Sequence, residues 1–451
     1  MRPRVMRRSL AALFLALGAG TGALAAQQRG QGCQFQIDRI GGVGSQVPVG
    51  ADTNYYGGGG VQMSCAGTAV RMSSDSVAYF GRKGASLVVF VGNVRYRDST
   101  ITMNADLGTY YRNGERWEAR GRVVTENLSS GSTLTGPYLD YYRIVPGLRD
   151  TAELYAISRP TIKSVPRDSA GGRGEPYIIV ADRVRIRGDE RMWAAGKVTV
   201  DRSDFAARSD SLYLDSGAEG DGVLIGQPLM RGTGRDSFEL TGVRIELALE
   251  EQAVSYVTAL GNGHAVSRDL DLVADTIGLD LVNEELVQTL AWGDSVRPRG
   301  LTADYEIRGD SLAFDTPART LSEVRAYARA WVGGALDSAS GERDWMSGDT
   351  VVARFVQWDS AGTARTSLGT LSAVGTARSY YRVSDEKRAG GLPSINYARG
   401  DQITVHMKPA GGRGVARVDL RGRVDGLNLE PAPVAPAPAD STPPAPRPEA
   451  R

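Results

Sequence analysis

The sequence predicts an all-β fold built from repeated antiparallel hairpins, with about 18–20 strands in two packed layers. Three observations lead to this prediction. An aspartate followed two residues later by an aliphatic residue recurs at intervals of about 30 residues, and a glycine step precedes most copies by 14 or 16 residues. Apolar and polar residues alternate with period two around the clearest copies, and no segment has the pattern of a long amphipathic helix.

The aspartate repeat is the first of these observations. Its copies are Asp75, Asp182, Asp210, Asp275, Asp310, Asp349 and Asp401, with a weaker copy at Asp106 and degenerate ones at Pro137 and Gly242. A period of this size is typical of stacked architectures. Because aspartate side chains cap backbone amides at turns, we predict that each copy marks the start of a strand. A metal-binding interpretation would require the carboxylates to converge in space, and one carboxylate per repeat disfavours it.

The glycine steps keep phase with the aspartates. Gly92 lies 14 residues before Asp106, Gly196 lies 14 before Asp210, and Gly121 lies 16 before Pro137. Fourteen residues hold one strand, a turn and the start of the next strand, so each repeat is predicted to be one hairpin. Nine or ten hairpins would fold into two layers of about ten strands each, on the order of 45 Å long.

Alternation supports the strands directly. Ile101, Met103 and Ala105 share one face, against Asn104 and Asp106 on the other. The same pattern around residues 270–281 slips in phase at the aspartate, which indicates a bulge or turn there. One face of each strand is therefore predicted to be buried and the other solvated.

Composition divides the chain into five segments. Residues 1–25 have the basic start, apolar run and small-residue cleavage site of a signal peptide. Residues 26–60 are rich in Gly and Gln and are predicted to form a flexible lead-in. The first part of the repeats occupies 61–160 and the second part 177–430, separated by a Pro/Gly-rich interruption. Residues 431–451 are rich in Pro and Ala and are predicted to be a disordered tail.

Charge and cysteine usage narrow the partners and the compartment. Residues 1–25 carry four arginines and no acid, so removing them changes the net charge from +1 to −3. A net charge of this size and sign does not indicate a nucleic-acid-binding protein. No later stretch approaches the length of a membrane helix, so we expect a soluble, exported protein. Cys33 and Cys65 are then predicted to form one disulfide, with two free cysteines as the alternative.

Catalytic and metal-binding patterns are missing from the sequence. His264 and His406 lie in different repeats without a cysteine or acidic partner at metal-ligand spacing. The Ser209–Ser211 segment surrounds Asp210 but has no nearby histidine to complete a triad. We therefore predict no enzyme, no metal and no cofactor, although carboxylates that converge in space would leave an enzyme open.

Tyrosines recur at corresponding strand positions: Tyr110, Tyr111, Tyr138, Tyr141 and Tyr142. Ordinary cross-strand packing explains such a series. The alternative is that some of them line an apolar channel, with their hydroxyl groups at its mouth.

One stretch resembles a known family. It runs Gly92-Asn-Val-Arg-Tyr96, Ile101-Thr-Met-Asn-Ala-Asp106 and Tyr110-Tyr111, then Trp117 to Val124 and Leu134 to Tyr142. This stretch is similar to the hairpin repeat of the OstA-like family, which includes the lipopolysaccharide-transport bridge protein LptA and the N-terminal domain of LptD. The likeness is best over residues 85–215 and weaker over 220–427.

The resemblance implies an elongated β-jellyroll folded like a taco, whose apolar interior holds the acyl chains of lipopolysaccharide or a similar lipid. It also implies a periplasmic location and edge-to-edge β-augmentation with other transport components or with a second copy. Whether the protein associates with the outer membrane is left open. The residues predicted to line the groove are Val94, Tyr96, Ile101, Met103, Leu134, Val198, Leu212, Ile277 and Leu279.

Two alternatives belong to other functional classes. One is a structural envelope protein whose β-repeats enclose a solid core. The other is a polysaccharide-binding or polysaccharide-acting β-solenoid, which would require parallel coils of roughly 20–25 residues and clustered carboxylates.

Overall fold

The computed structural model describes residues 33–82, 86–166, 172–203, 205–217, 219–232, 237–250, 253–268, 270–283, 285–335, 341–360, 363–383, 393–408 and 414–431. These residues form thirty strands and two single turns of 3-10 helix, at Arg112–Gly114 and Pro317–Arg319. The strands belong to one hydrogen-bonded sheet, which confirms the all-β class. No helix in these segments is suited to crossing a membrane.

Fourteen of these strands are long: β3 (Asp52–Cys65), β4 (Arg71–Phe80), β5 (Leu87–Arg97), β6 (Ile101–Tyr111), β7 (Arg116–Asn127), β8 (Thr133–Tyr142), β13 (Arg191–Arg202), β14 (Phe205–Asp215), β19 (Ala253–Ser267), β20 (Asp271–Val282), β25 (Glu323–Gly334), β26 (Trp345–Ser360), β27 (Thr363–Val383) and β28 (Ser394–Met407). The other sixteen form consecutive pairs with a break between the two members: β1 (Phe35–Ile40) and β2 (Gly44–Val49), β9 (Glu153–Ile157) and β10 (Thr161–Ser164), β11 (Tyr177–Val180) and β12 (Arg183–Arg187), β15 (Asp221–Ile225) and β16 (Leu229–Gly232), β17 (Phe238–Thr241) and β18 (Arg244–Glu250), β21 (Glu285–Trp292) and β22 (Arg299–Leu301), β23 (Tyr305–Arg308) and β24 (Ser311–Asp315), and β29 (Val415–Arg421) and β30 (Asp425–Leu429). We call each long strand, or each such pair, one crossing; the described chain makes twenty-two.

The crossings follow each other as a simple meander. Each one is paired in antiparallel fashion with the crossing before it and the crossing after it, from β1 and β2 on β3 to β29 and β30 on β28. Where a crossing is broken, its two halves pair with the two halves of the same neighbour, as β9 and β10 do with β8. Among the thirty described strands, none pairs with a strand of a distant crossing.

Each crossing bends near its middle. Between β5 and β6 the register shifts between Val91 and Val94, and Gly92 (φ 78°) and Asn93 (φ 45°) occupy the left-handed region. Such a bulge turns a strand sharply. Because the bends coincide across neighbouring crossings, they form a line that we call the spine.

The spine divides the sheet into two arms. The first arm holds β1, β10, β11, β16, β17, β22, β23, β30 and one half of each long strand. The second arm holds β2, β9, β12, β15, β18, β21, β24, β29 and the other halves. The arms face each other: Tyr96 of the first lies 4.9 Å between ring centroids from Trp117 of the second, and Phe35 lies 5.2 Å from Tyr110. The opening between the free tips of the arms is called the mouth.

The two predicted layers are thus the arms of one bent sheet. The predicted 18–20 strands are close to the twenty-two crossings, but every crossing enters both arms, so each arm has twenty-two strands instead of about ten. At about 4.8 Å per strand the sheet is about 100 Å long, roughly twice the expected length.

The prediction of a flexible lead-in at residues 26–60 is wrong for residues 33–60. Residues 33–60 form β1, β2 and the first part of β3, and the glycine run is the bend of β3, with Gly59 at φ 75° and Gly60 at φ 92°. These glycines are needed because the bend requires positive φ. Composition alone does not distinguish a glycine run of this kind from a flexible linker. Residues 26–32, the predicted signal peptide and residues 432–451 of the predicted tail lie outside the described residues.

The Pro/Gly-rich interruption does not separate two sheets. Ser164 of β10 pairs with Tyr177 of β11, so the strands on the two sides of the interruption are neighbours in the first arm. The predicted parts 61–160 and 177–430 therefore belong to one sheet.

Candidate functional site

The spine carries the aspartate repeat. The Asp106 carboxylate accepts the backbone N–H of Arg122 at 3.0 Å and pairs with its guanidinium at 2.9 Å. A Cβ on Gly121, which has φ 96°, would stand 2.4 Å from that carboxylate. The hydrogen bond from Arg122 lowers the pKa of Asp106. The aspartate on one crossing thus caps the bend of the next.

Six other aspartates repeat the arrangement with a glycine on the next crossing: Asp75 with Gly92, Asp182 with Gly196, Asp210 with Gly226, Asp275 with Gly293, Asp349 with Gly375, and Asp401 with Gly422. At Asp310 the partner is the guanidinium of Arg329. The sequence signal is therefore a pair formed by an aspartate and the glycine that follows it. The spacing of 14 residues between an aspartate and the preceding glycine only reflects the length of a hairpin.

The expected position of the aspartates at strand starts needs correction. Asp182 and Asp310 directly precede β12 and β24, whereas the other six lie inside continuous strands: Asp75, Asp106, Asp210, Asp275, Asp349 and Asp401. The reason is that the chain bends at these positions without leaving the sheet.

The spine does not assemble a metal centre. Among the described residues no group of three or more His, Cys, Asp or Glu side chains could hold a metal ion. His264 lies 2.9 Å from Asp271, and His406 lies 3.0 Å from Asp419, both near the surface.

The nine predicted groove residues all face the interior. Each is at most 6 % exposed. Val94, Tyr96, Ile101, Met103, Leu134 and Val198 lie on the first arm, and Leu212, Ile277 and Leu279 on the second. They are distributed along a continuous core and do not surround one pocket.

The interior is sealed near its N-terminal end. Asp98, at the tip of the first arm, accepts hydrogen bonds from Tyr96 (2.9 Å) and from Tyr141 of the second arm (2.8 Å). The backbone N–H groups of Thr100 and Ile101 also donate to it. Burial and the nearby Asp98 carboxylate raise the pKa of both tyrosines. The side chain of Asp98 therefore ties the two arms together.

Glu115 closes the same part of the mouth. Its carboxylate accepts the backbone N–H of Cys33 at 2.7 Å, the hydroxyl of Tyr110 and the Nε of Arg143 at 2.6 Å. Burial and the Glu115 charge raise the pKa of Tyr110. Cys33 and Cys65 form a disulfide with their Cα atoms 5.2 Å apart, which fixes the start of the described chain over Glu115. The Asp98 and Glu115 contacts together are called the latch.

The tyrosine series splits between two environments. Tyr110 and Tyr141 are buried between the arms. Tyr111, Tyr138 and Tyr142 lie on the outer face, where the Arg116 guanidinium stacks 4.1 Å from the Tyr111 ring. Neighbouring tyrosines in a strand face opposite sides, so only one of each pair enters the core.

From β13 onward half-buried apolar side chains are more frequent than before it, where the partly buried ones are Phe35, Ile40, Tyr79, Tyr177 and Ile186. Apolar side chains packed on the core are only partly buried here: Phe205, Leu214, Phe238, Leu247, Leu270, Leu281, Leu286, Phe355, Leu368, Leu371, Val405 and Val418. The hydrogen bonds and ion pairs seen between described residues in this part join neighbours within one arm or at the spine. We call this interior, between the arms from β13 to β30, the slot.

Within the part of the chain that the structure describes, both ends of the sheet present unpaired edges. At one end β1 and β2 pair with β3 alone, and at the other β29 and β30 pair with β28 alone. Val47 and Val49 at the first end, and Leu427 and Leu429 at the second, are 44–56 % exposed. Exposed apolar edge strands are templates for pairing with another chain.

An open cleft of about 780 Å³ lies outside the two arms, against the spine. Lys197, Arg208 and Gln227 line it together with Leu229 and Val243. It is separate from the slot, because Arg208 alternates with the inward residue Ala207.

Comparisons with known proteins find likenesses among solved structures. No family model matches the sequence, and no curated protein matches it. The crystal structure of LptH from Pseudomonas aeruginosa, the LptA-homologous periplasmic component of the lipopolysaccharide transport device, is 13% identical and matches 28% of this chain and 94% of its own, with a TM-score of 0.24. A TM-score this low carries no argument about function.

Proposed function

We propose that the protein is a periplasmic, non-enzymatic bridge that carries lipopolysaccharide toward the outer membrane, with the acyl chains held in the slot. The observation that carries this proposal is the change along the interior, from a latched mouth to one bordered by half-buried apolar side chains. When an acyl chain covers apolar surface that was in contact with water, the complex is stabilised by a free energy of roughly 25 cal/mol per Å².

The dimensions of the slot suit this role. Its thirteen crossings extend for about 60 Å at roughly 4.8 Å each. The lip of the second arm is apolar along the slot, and Phe205, Phe238 and Leu270 make the first-arm lip apolar from β13 to β20. Several acyl chains can therefore lie in the slot while sugar groups stay in water at the mouth.

The compartment and the partners follow from two other features. The Cys33–Cys65 disulfide suits an oxidising compartment such as the periplasm. The unpaired edges at both ends allow another transport component, or a second copy, to extend the sheet by β-augmentation.

The structural alternative is favoured by one observation. Near the latch the interior is filled by packed rings, with Trp117 against Phe90, Tyr96 and Tyr110, so this part has a solid core. The solenoid alternative is wrong, because every described pairing between strands is antiparallel and the crossings form a meander.

Photo-crosslinking tests the lipid-binding proposal. A crosslinker at Phe355 or Leu281, on the lip of the slot, is expected to capture purified lipopolysaccharide. Val356 and Val282 are the matched controls, because they are the next residues along the chain, are 47 % and 52 % exposed, and face outward. Capture at Met103, inside the latched part, should be weak. Equal capture at Phe355 and Val356, or none at either, would count against the proposal.

Charge at an edge strand tests the bridging role. Replacing Leu427 and Leu429 of β30 with arginine should weaken end-to-end association, because like charges on an edge oppose strand pairing. Both side chains are about half exposed, so the melting temperature should stay within a degree or two. Light scattering over a concentration series measures association. The exposed spine residue Val243 replaced with arginine is the control, and an equal effect there would contradict pairing through β30.

A further inference from the structure

Near its C-terminal end the slot has two chemically different walls. The second arm contributes Phe355, Leu368, Leu371, Val405 and Val418, all apolar. The first arm contributes small or polar side chains on its inward face: Ala377, Ser379, Tyr381, Asn396, Ala398 and Gly400. One wall thus suits a hydrocarbon chain, and the other can also form hydrogen bonds.

Ser379 is the most informative residue of the polar wall. It pairs laterally with Met346 and Ala398, which belong to the buried core, so its side chain shares their inward face. The residue is 2 % exposed, and its Oγ has no hydrogen-bond partner among the described residues. An unpaired buried hydroxyl is destabilising and needs an explanation.

Several inward side chains beside Ser379 are smaller than those at the corresponding positions near the latch. Its inward neighbours on the first arm are Met346, Ala377, Tyr381 and Ala398, and Gly426 pairs with Ala398 on the next crossing. The corresponding positions near the latch hold Tyr96 and Met103. Small side chains there fill less of the space between the arms.

Trp117 provides a useful contrast. Its Nε1 also has no hydrogen-bond partner within the described segments, but the rings of Phe90, Tyr96 and Tyr110 surround the indole at centroid distances of 4.9–6.0 Å. It lies behind the latch, where packed rings exclude a ligand. Ser379 lies where the opposite wall is half exposed.

We propose that Ser379 donates a hydrogen bond to the ester or amide carbonyl of an acylated lipid whose chain lies against Phe355, Leu368 and Leu371. This rests on the proposed function, since it assumes that the slot binds acyl chains. It adds the chemical group that is recognised: a carbonyl next to the chain. An alkyl chain without a carbonyl would gain nothing from Ser379.

Two fluorescent probes with the same chain test the proposal, one an N-acyl amide and the other an alkyl compound without a carbonyl. Ser379→Ala should weaken binding of the amide about five-fold, as expected for one hydrogen bond, and leave the alkyl probe unchanged. It should also raise the melting temperature of the ligand-free protein, because the unpaired hydroxyl is gone. Ser347→Ala, on the outer face of the neighbouring strand, is the control and should change neither affinity.

The outcomes separate the two proposals. Equal loss for both probes, or a lower melting temperature in Ser379→Ala, would assign Ser379 a structural role and overturn the inference while lipid binding stands. If the wild-type protein binds neither probe, the proposed function fails and the inference fails with it.

Discussion

Replacing Glu115 with glutamine is expected to destabilise the latched part of the fold by about 3 kcal/mol or more. Glu115 is 2 % exposed and its partner Arg143 has a side chain only 14 % exposed. The substitution removes the negative charge and leaves the buried guanidinium without compensation. Hydrogen exchange of β6 to β8 should show the loss as faster opening, with the strands after β13 little changed.

An exposed ion pair provides the matched control. Arg122→Ala breaks the pair with Asp106, whose two side chains are 88 % and 45 % exposed, and should cost less than about 1 kcal/mol. If Glu115→Gln left exchange in β6 to β8 as slow as in the wild type, the latch would not be what holds the arms together there.

Gly59→Ala is expected to detach β1 and β2 from β3 locally. Gly59 has φ 75°, and a Cβ there would stand 2.8 Å from the backbone of Gly42. Backbone atoms cannot move aside as a flexible side chain can, so we expect a loss of about 2 kcal/mol or more. Because the disulfide keeps the segment attached, faster exchange of the β1 and β2 amides is the readout.

Gly58 gives a control within the same glycine run. A Cβ at Gly58 would meet nothing within 4 Å, and its φ is outside the left-handed range. Gly58→Ala should therefore change stability by no more than about 0.5 kcal/mol. Equal protection of β1 in both variants would show that the bend of β3 does not depend on Gly59.

The repeat made the fold class predictable, and it gave a strand number of 18–20 that is close to the twenty-two crossings. Each bend needs a residue that tolerates positive φ, as Gly121 does, and a neighbouring side chain that accepts the freed backbone N–H, as Asp106 does. Few residue types meet these two requirements, so the pattern is visible in the sequence. Period-two alternation then placed Met103 and Leu279 in the interior. These are local signals, and a meander depends on local pairing alone.

The remaining features depend on contacts between the arms, which no local pattern records. Asp98 and Tyr141 are 43 residues apart and meet only because the sheet bends. Asp98 and Glu115 are both buried, although charged side chains usually lie at the surface. One sequence signal could have indicated the change from latch to slot. The inward side chains are large near the latch, as at Tyr96 and Met103, and small near the C-terminal end, as at Ala377 and Ala398.

The meander also decides how this molecule can change in size. Because the backbone of each described crossing pairs only with its neighbours in sequence, inserting or deleting one hairpin beyond the latch alters the span by about 10 Å and leaves the other backbone pairings intact. The number of hairpins therefore sets the distance that one chain covers. Duplication of a hairpin can change this distance in fixed increments, without redesign of the core.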